Sequence, residues 1–315
     1  MTAHEEPSSG ATKASGSWVV RRARLRGLET AWREAGPDDG PVLLCLHGYP
    51  DSPAVWEAQE QAFCDRYRVV APYARGASPS APSDDLGRYG RDAVALDCLG
   101  ILEHVDPTGT RDIVLMGHDL GVVQACHLAP LLGRRLKAVI LFNGLSLPMM
   151  VRRLRRPAQV LRSWYIWAIL APGRVVDKLT SRFPRTALHL VRRIADAPPA
   201  SEEVRAAAPA ALSAPLAQYR ALARELWKAS RERAPRVTAP VLVLWGTRDP
   251  FLLPPAEDEW AAFATDVTVR FLDGGHWLFK EKATTVNRIC REFLENPGSP
   301  VGNGERLALT EARTS

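Results

Sequence analysis

The sequence predicts an α/β protein: a mostly parallel sheet flanked by helices and interrupted by an inserted helical cap. Three observations carry this. Short, continuous apolar runs alternate with segments of helical length. The alternation stops between residues 145 and 235, where the chain becomes Arg-, Ala- and Pro-rich and holds no strand-like run. A β-like run at 112–115 is followed at once by Met116-Gly117-His118-Asp119-Leu120-Gly121 and then by a helix-like segment, Val122 to Leu132.

The strand candidates are 18–25, 28–34, 41–46, 67–73, 112–117, 136–143, 240–246 and 267–272. Their apolar runs are unbroken, as in PVLLCL at 41–46, which suits parallel strands covered on both faces. The first two come too close together for a crossover and predict a leading antiparallel pair. Helices are predicted over 53–65, 90–104, 121–132, 254–264 and 277–294. The resulting plan is a core of residues 18–144 and 236–296, a cap at 145–235, and disordered tails at 1–17 and 297–315 by composition.

Bulk properties narrow the class. At 315 residues, 46% hydrophobic and 24% charged, the chain suits one large soluble domain with an insertion. Its five cysteines are odd in number and lack CxxC spacing, which predicts a reduced, cytoplasmic protein. The N-terminal stretch has no basic segment leading into an apolar run, so no secretory signal is read there. The longest apolar stretch, Trp164 to Pro172, is too short to span a bilayer. P-loop, GxGxxG and HExxH patterns are all missing, so no cofactor and no metal is expected. Residues 150–194 carry eleven Arg and Lys against one acid, Asp177. The plain reading is a solvated helix face. The alternative is peripheral contact with anionic membranes or amphiphiles, and no motif accompanies the charge to suggest nucleic acid.

The chemistry centres on Asp119. Strand, Gly-x-nucleophile-x-Gly, helix is the nucleophile elbow of the α/β-hydrolase fold, in which the central side chain stands above the sheet. That residue is usually Ser. A carboxylate attacks without losing a proton, and attack on carbon leaves an ester. Hydrolysing the ester needs a base held by a second acid. His276, in Gly274-Gly275-His276-Trp277 after the last strand, is the candidate base, and Asp249, in GTRDP, is the candidate acid. The order Asp119, Asp249, His276 is the nucleophile–acid–His order of this fold. Oxyanion donors are predicted at the Leu120 amide and, in the His47-Gly48-Tyr49-Pro50 loop after the third strand, at the Tyr49 amide.

HGYP, GHDLG, GTRDP and GGHW together resemble the soluble epoxide hydrolases, over about Trp18 to Leu294. The resemblance implies two cap tyrosines that donate to the epoxide oxygen. The first matches Tyr165 in SWYIWAILAPG and the second Tyr219 in LAQYRAL. It implies a small, apolar epoxide as substrate, with His47, Trp164 and Trp277 as candidate binding residues. Two departures stand out. Leu120 replaces the usual aromatic after the nucleophile, and Tyr73-Ala74-Arg75-Gly76-Ala77-Ser78-Pro79-Ser80 keeps only part of a D-x-R-G-x-G-x-S pattern. Haloalkane dehalogenases share the Asp nucleophile but hold halide with a donor beside it, which Leu120 cannot supply. Fluoroacetate dehalogenases place Arg there. A non-catalytic binder on the same fold is the remaining alternative.

Overall fold

The structure is a computed structural model that describes residues 18–297, apart from 78, 81–84, 195–196, 200–201, 203–204, 206–207 and 233–235. The segments expected as tails lie outside the described residues, except for Pro297.

Eight strands form one sheet: β1 (Val19–Leu25), β2 (Leu28–Ala35), β3 (Val42–Leu46), β4 (Arg68–Pro72), β5 (Ile113–His118), β6 (Leu136–Phe142), β7 (Val241–Gly246) and β8 (Val267–Leu272). Their order is β1-β2-β4-β3-β5-β6-β7-β8. The strand β2 runs antiparallel to both β1 and β4, and every later pairing is parallel. Alternation of side chains across the pleat explains the unbroken apolar runs. Val42, Leu44 and Leu46 enter the core on one face with Val122 and Leu128 of a covering helix. Leu43 and Cys45 enter the other face with Trp56, Phe279 and Phe293. All five cysteines are buried and unpaired.

The core helices are α1 (Glu57–Phe63), α2 (Arg91–Val105) and α3 (Leu120–Leu132) in the first half. Between β6 and β7 the described residues hold helices and no strand: α4 (Leu147–Arg153), α5 (Pro157–Arg162), α6 (Trp164–Leu170), α7 (Val175–Arg182), α8 (Pro184–Ile194) and α9 (Ala208–Ala229). The chain then returns to the sheet and ends with α10 (Glu257–Trp260), α11 (Leu278–Glu281) and α12 (Ala283–Glu295). Among the described residues no helix is long and apolar enough to cross a membrane.

Three predicted helices differ from those observed. Residues 53–65 begin as a 3₁₀ turn, Pro53–Trp56, capped by Ser52, before α1 starts. The predicted 277–294 helix is split at Lys282, whose backbone leaves the helical region at φ −120° and ψ 37°. The predicted 254–264 helix shrinks to α10. Pro254 and Pro255 disfavour helix before it. After it, the chain is drawn into a bridge between Val237 and Ala264, with Val237 N donating to Phe263 O at 2.8 Å. The altered 73–80 stretch is still tied to its neighbours by side chains at two kept positions. Arg75 Nη2 lies 2.5 Å from Asp97 of α2, and Ser80 Oγ accepts from Ala31 N of β2 at 3.0 Å.

The strand order turns back on either side of β3 and β5, which opens a crevice at the carboxyl ends of the strands. The helices between β6 and β7 cover this end. A third apolar cluster joins Tyr49 and Leu120 of the core to Leu147, Ile169, Leu216, Tyr219 and Leu222 of the insertion.

Candidate active site

Asp119 sits between β5 and α3 with φ 52° and ψ −117°, a backbone conformation that L-residues adopt only under constraint. The constraint is steric. A Cβ on Gly121 would lie 1.9 Å from the Leu46 carbonyl oxygen, and one on Gly48 would lie 2.6 Å from Asp119 Oδ2. Only glycine lets β3, the elbow and α3 approach so closely.

Tyr49 N donates to Asp119 Oδ2 at 2.9 Å, and the Leu120 amide also bonds to this carboxylate. Burial raises the Asp119 pKa, and the nearby His276 together with these two amides only partly offsets the rise. His276 Nε2 lies 3.9 Å from Asp119 Oδ1, beyond hydrogen-bond reach. Its Nδ1 lies 2.7 Å from Asp249 Oδ2, so the proton sits on Nδ1 and Nε2 faces the elbow. Burial disfavours the charged ring, but Asp249 and Asp119 outweigh it and lift His276 above its ordinary value.

Asp249 is buried and well supplied with donors. Asn143 Nδ2 donates to Oδ2 at 2.8 Å, and the amides of Phe251 and Leu252 donate to Oδ1 at 2.8 and 3.0 Å. Burial alone would raise its pKa; His276 and these donors bring it below the ordinary carboxylate range. Arg162 Nη1 of α5 donates to the Asp249 carbonyl at 2.7 Å, and Gln159 brackets the same loop through Phe251 O and Leu253 N. The insertion thus helps to hold the acid's loop.

Tyr165 of α6 and Tyr219 of α9 face Asp119 from above. Their rings meet edge to face, 6.0 Å apart at 85°. Burial and the Asp119 charge raise both phenol pKa values, so both remain protonated at neutral pH. Asp119 and this pair line two cavities. One, of about 1080 Å³ with its mouth, also has Tyr49, Trp164, Phe251, His276 and Trp277 in its wall. The other, of about 710 Å³, continues past Leu120, Met150 and Leu226. Both walls are mostly apolar.

The structure therefore brings Asp119, His276, Tyr165, Tyr219, Tyr49, Leu120, Trp164 and Trp277 to the walls of these two cavities, with Asp249 behind His276 on its Nδ1. His47 is placed otherwise. Its Nδ1 lies 2.9 Å from Gly48 O and its Nε2 accepts from Ala74 N at 3.3 Å. Both nitrogens are spent on backbone, and the ring lines neither cavity. Sequence reasoning also missed four residues: Asn143, Asp51, Arg192 and His118. Asn143 (φ 37°) follows β6 just before a glycine, a turn signal that could have marked it. His118 donates from Nε2 to the His276 carbonyl at 3.0 Å, and burial plus the His276 charge push its pKa down to about 3. It is therefore neutral and structural. Among the described residues no group of three His, Cys, Asp or Glu is arranged to hold a metal ion.

A carboxylate on a strained elbow, a His–Asp pair beside it and a helical cover above are accompanied by a sequence match to the alpha/beta hydrolase fold over residues 41–283. The chain belongs to the α/β-hydrolase family. It is similar to the AB hydrolase superfamily protein YfhM of Bacillus subtilis (strain 168), with 29% identity over 277 residues, 83% of this chain and 93% of that one. It is 29% identical over 307 residues to epoxide hydrolase 4 of Mus musculus, covering 89% of this chain and 80% of that one. Among solved structures, an epoxide hydrolase from metagenomes of hot environments superposes with a TM-score of 0.73 at 25% identity. That match covers 88% of this chain and 99% of that one.

Proposed function

We propose that this α/β hydrolase is an epoxide hydrolase that converts an apolar epoxide to a vicinal diol through an ester on Asp119. The observation that carries the reading is the pair of protonated phenols, Tyr165 and Tyr219, opposite a carboxylate in an apolar cavity. A carboxylate nucleophile suits attack on carbon, and a strained three-membered ether needs a proton donor on its oxygen as it opens. Relatives named epoxide hydrolases, which match over nearly the whole chain, support the same reading.

In the first step Asp119 Oδ1 bonds to an epoxide carbon, the C–O bond breaks, and a phenol gives its proton to the departing oxygen. Asp119 Oδ2 stays on the Tyr49 amide and becomes the ester carbonyl oxygen, with the Leu120 amide also directed at this carboxyl group. Esterification also removes the Asp119 charge, one of the charges that lift the His276 pKa. That lowers the His276 pKa in the ester, so a proton the ring carries in the free enzyme passes to solvent before the base acts. His276 Nε2 then takes a proton from water, which attacks the ester carbonyl carbon while the two amides hold the oxyanion. On collapse the diol leaves with the proton that His276 took. The second water proton returns to the phenol, and Asp119 is again a carboxylate.

The test is diol formation from a series of terminal, aromatic and fatty-acid epoxides. Turnover of at least one, abolished in Asp119→Asn, is expected. Failure across the series would reject the reading.

A further inference from the structure

The mouth of the larger cavity is rimmed by exposed apolar side chains. Trp164, Leu179, Leu190 and Ile194 line that cavity and are also exposed, so they form its rim. Val175 lies one helical turn before Leu179 in α7, and Phe183, the residue that ends the helix, follows four residues after it. All six are between 45% and 55% exposed. An apolar rim of this kind marks an interaction surface.

Cations accompany it. Arg174, Lys178, Arg182, Arg185 and Arg193 are exposed and make no ion pair among the described residues. The segment's only acid, Asp177, is already paired with Arg220 of α9. The helices α7 and α8 therefore present apolar side chains flanked by unpaired positive charge.

We propose that this face docks on an anionic lipid bilayer, with the cavity mouth against the acyl–headgroup boundary. Charge selects this occupant. A second copy packed symmetrically on the same face would set the two sets of cations against each other. Residues 1–17 contain no Val, Leu, Ile, Phe, Tyr or Trp and cannot fill an apolar rim. An anionic bilayer supplies both the negative surface and the apolar interior that the two components need. Direct passage of an apolar epoxide from lipid into the cavity rests on the preceding reading, whereas docking itself does not.

Flotation with phosphatidylcholine vesicles, with and without about 30 mol % phosphatidylglycerol, tests this without any substrate, so it can fail while diol formation stands, and the reverse. Binding only to the anionic vesicles is expected at low salt, fading by about 0.5 M salt. Each interfacial cation strengthens partitioning about fivefold, so Arg182→Gln/Arg185→Gln/Arg193→Gln should weaken it about a hundredfold. Val175→Ser/Phe183→Ser should weaken it with the charges intact. Both variants should keep the wild-type unfolding midpoint and wild-type turnover of a water-soluble epoxide. Equal binding to neutral vesicles, no binding, or variants that bind like wild type would overturn the proposal. A dimer dissolved by Val175→Ser/Phe183→Ser, or vesicle binding seen only after residues 298–315 are removed, would also overturn it. Those results would assign the face to a second copy or to the chain's own end.

Discussion

Arg192 of the insertion and Asp51 of the core form a buried ion pair, Nη1 to Oδ1, at 3.0 Å. Asp51 Oδ2 accepts from Trp277 Nε1 at 2.6 Å, and Trp277 follows His276 directly. Burial would raise the Asp51 pKa, but Arg192 and the indole N–H hold it below the ordinary range. The helical cover is therefore tied to the loop that carries the base. Arg192→Ala leaves a buried carboxylate without its cation and should cost about 3–5 kcal/mol of stability in denaturant unfolding. Arg192→Lys should recover part of it.

The second prediction concerns pH. His276 lies above its ordinary 6.5 in the free enzyme because Asp249 and Asp119 outweigh burial. Stability from its charged form is complete below the unfolded-state value and is lost as pH rises through the raised folded value. Ester hydrolysis has the opposite sign, since the base must be neutral, so its rate should rise with pH. Esterification removes the Asp119 charge, so the kinetic midpoint should fall below the His276 midpoint that NMR measures in the free enzyme. Coincident midpoints would contradict the release of the base by alkylation.

Asn143 supplies one of four donors to Asp249 and lies 106 residues away in sequence. Losing a hydrogen bond to a charged group costs about 1.5–3 kcal/mol. Asn143→Ala should therefore slow ester hydrolysis about tenfold to a hundredfold while leaving ester formation almost unchanged. Rapid-quench measurement of the two steps separates them.

These cases show what was legible in the sequence and what was not. The strands were legible because runs such as Leu43-Leu44-Cys45 are buried on both faces and carry no polar break. Asp119, Asp249 and His276 were legible because each follows a strand in a glycine- or turn-rich loop. Asn143 and the Arg192–Asp51 pair were not, because their partners come from distant elements and no local pattern links them. The helix predicted over 254–264 is shorter in the structure because its helical periodicity carries no sign of the bridge to Val237. For His47, the motif located the loop but not the direction of the side chain, which backbone bonds to Gly48 and Ala74 decide.

Tyr165 and Tyr219 should act on one oxygen. Each phenol lines both cavities beside Asp119, so either can donate when the other is lost. General-acid contributions are typically about 10²–10⁴-fold. Tyr165→Phe and Tyr219→Phe should each slow ester formation, and the double variant should nearly abolish it. An unchanged single-turnover rate in the double variant would remove the phenols from the chemistry.

The central claim is that Asp119, and not water, attacks the epoxide. A single turnover of active enzyme in ¹⁸O-water, followed by mass analysis of the Asp119 peptide and of the diol, tests it most directly. The account predicts label in the Asp119 carboxylate and an unlabelled first diol, because water attacks the ester carbonyl. Label in the first diol with none in Asp119 would mean that water opens the epoxide directly, and would contradict the account.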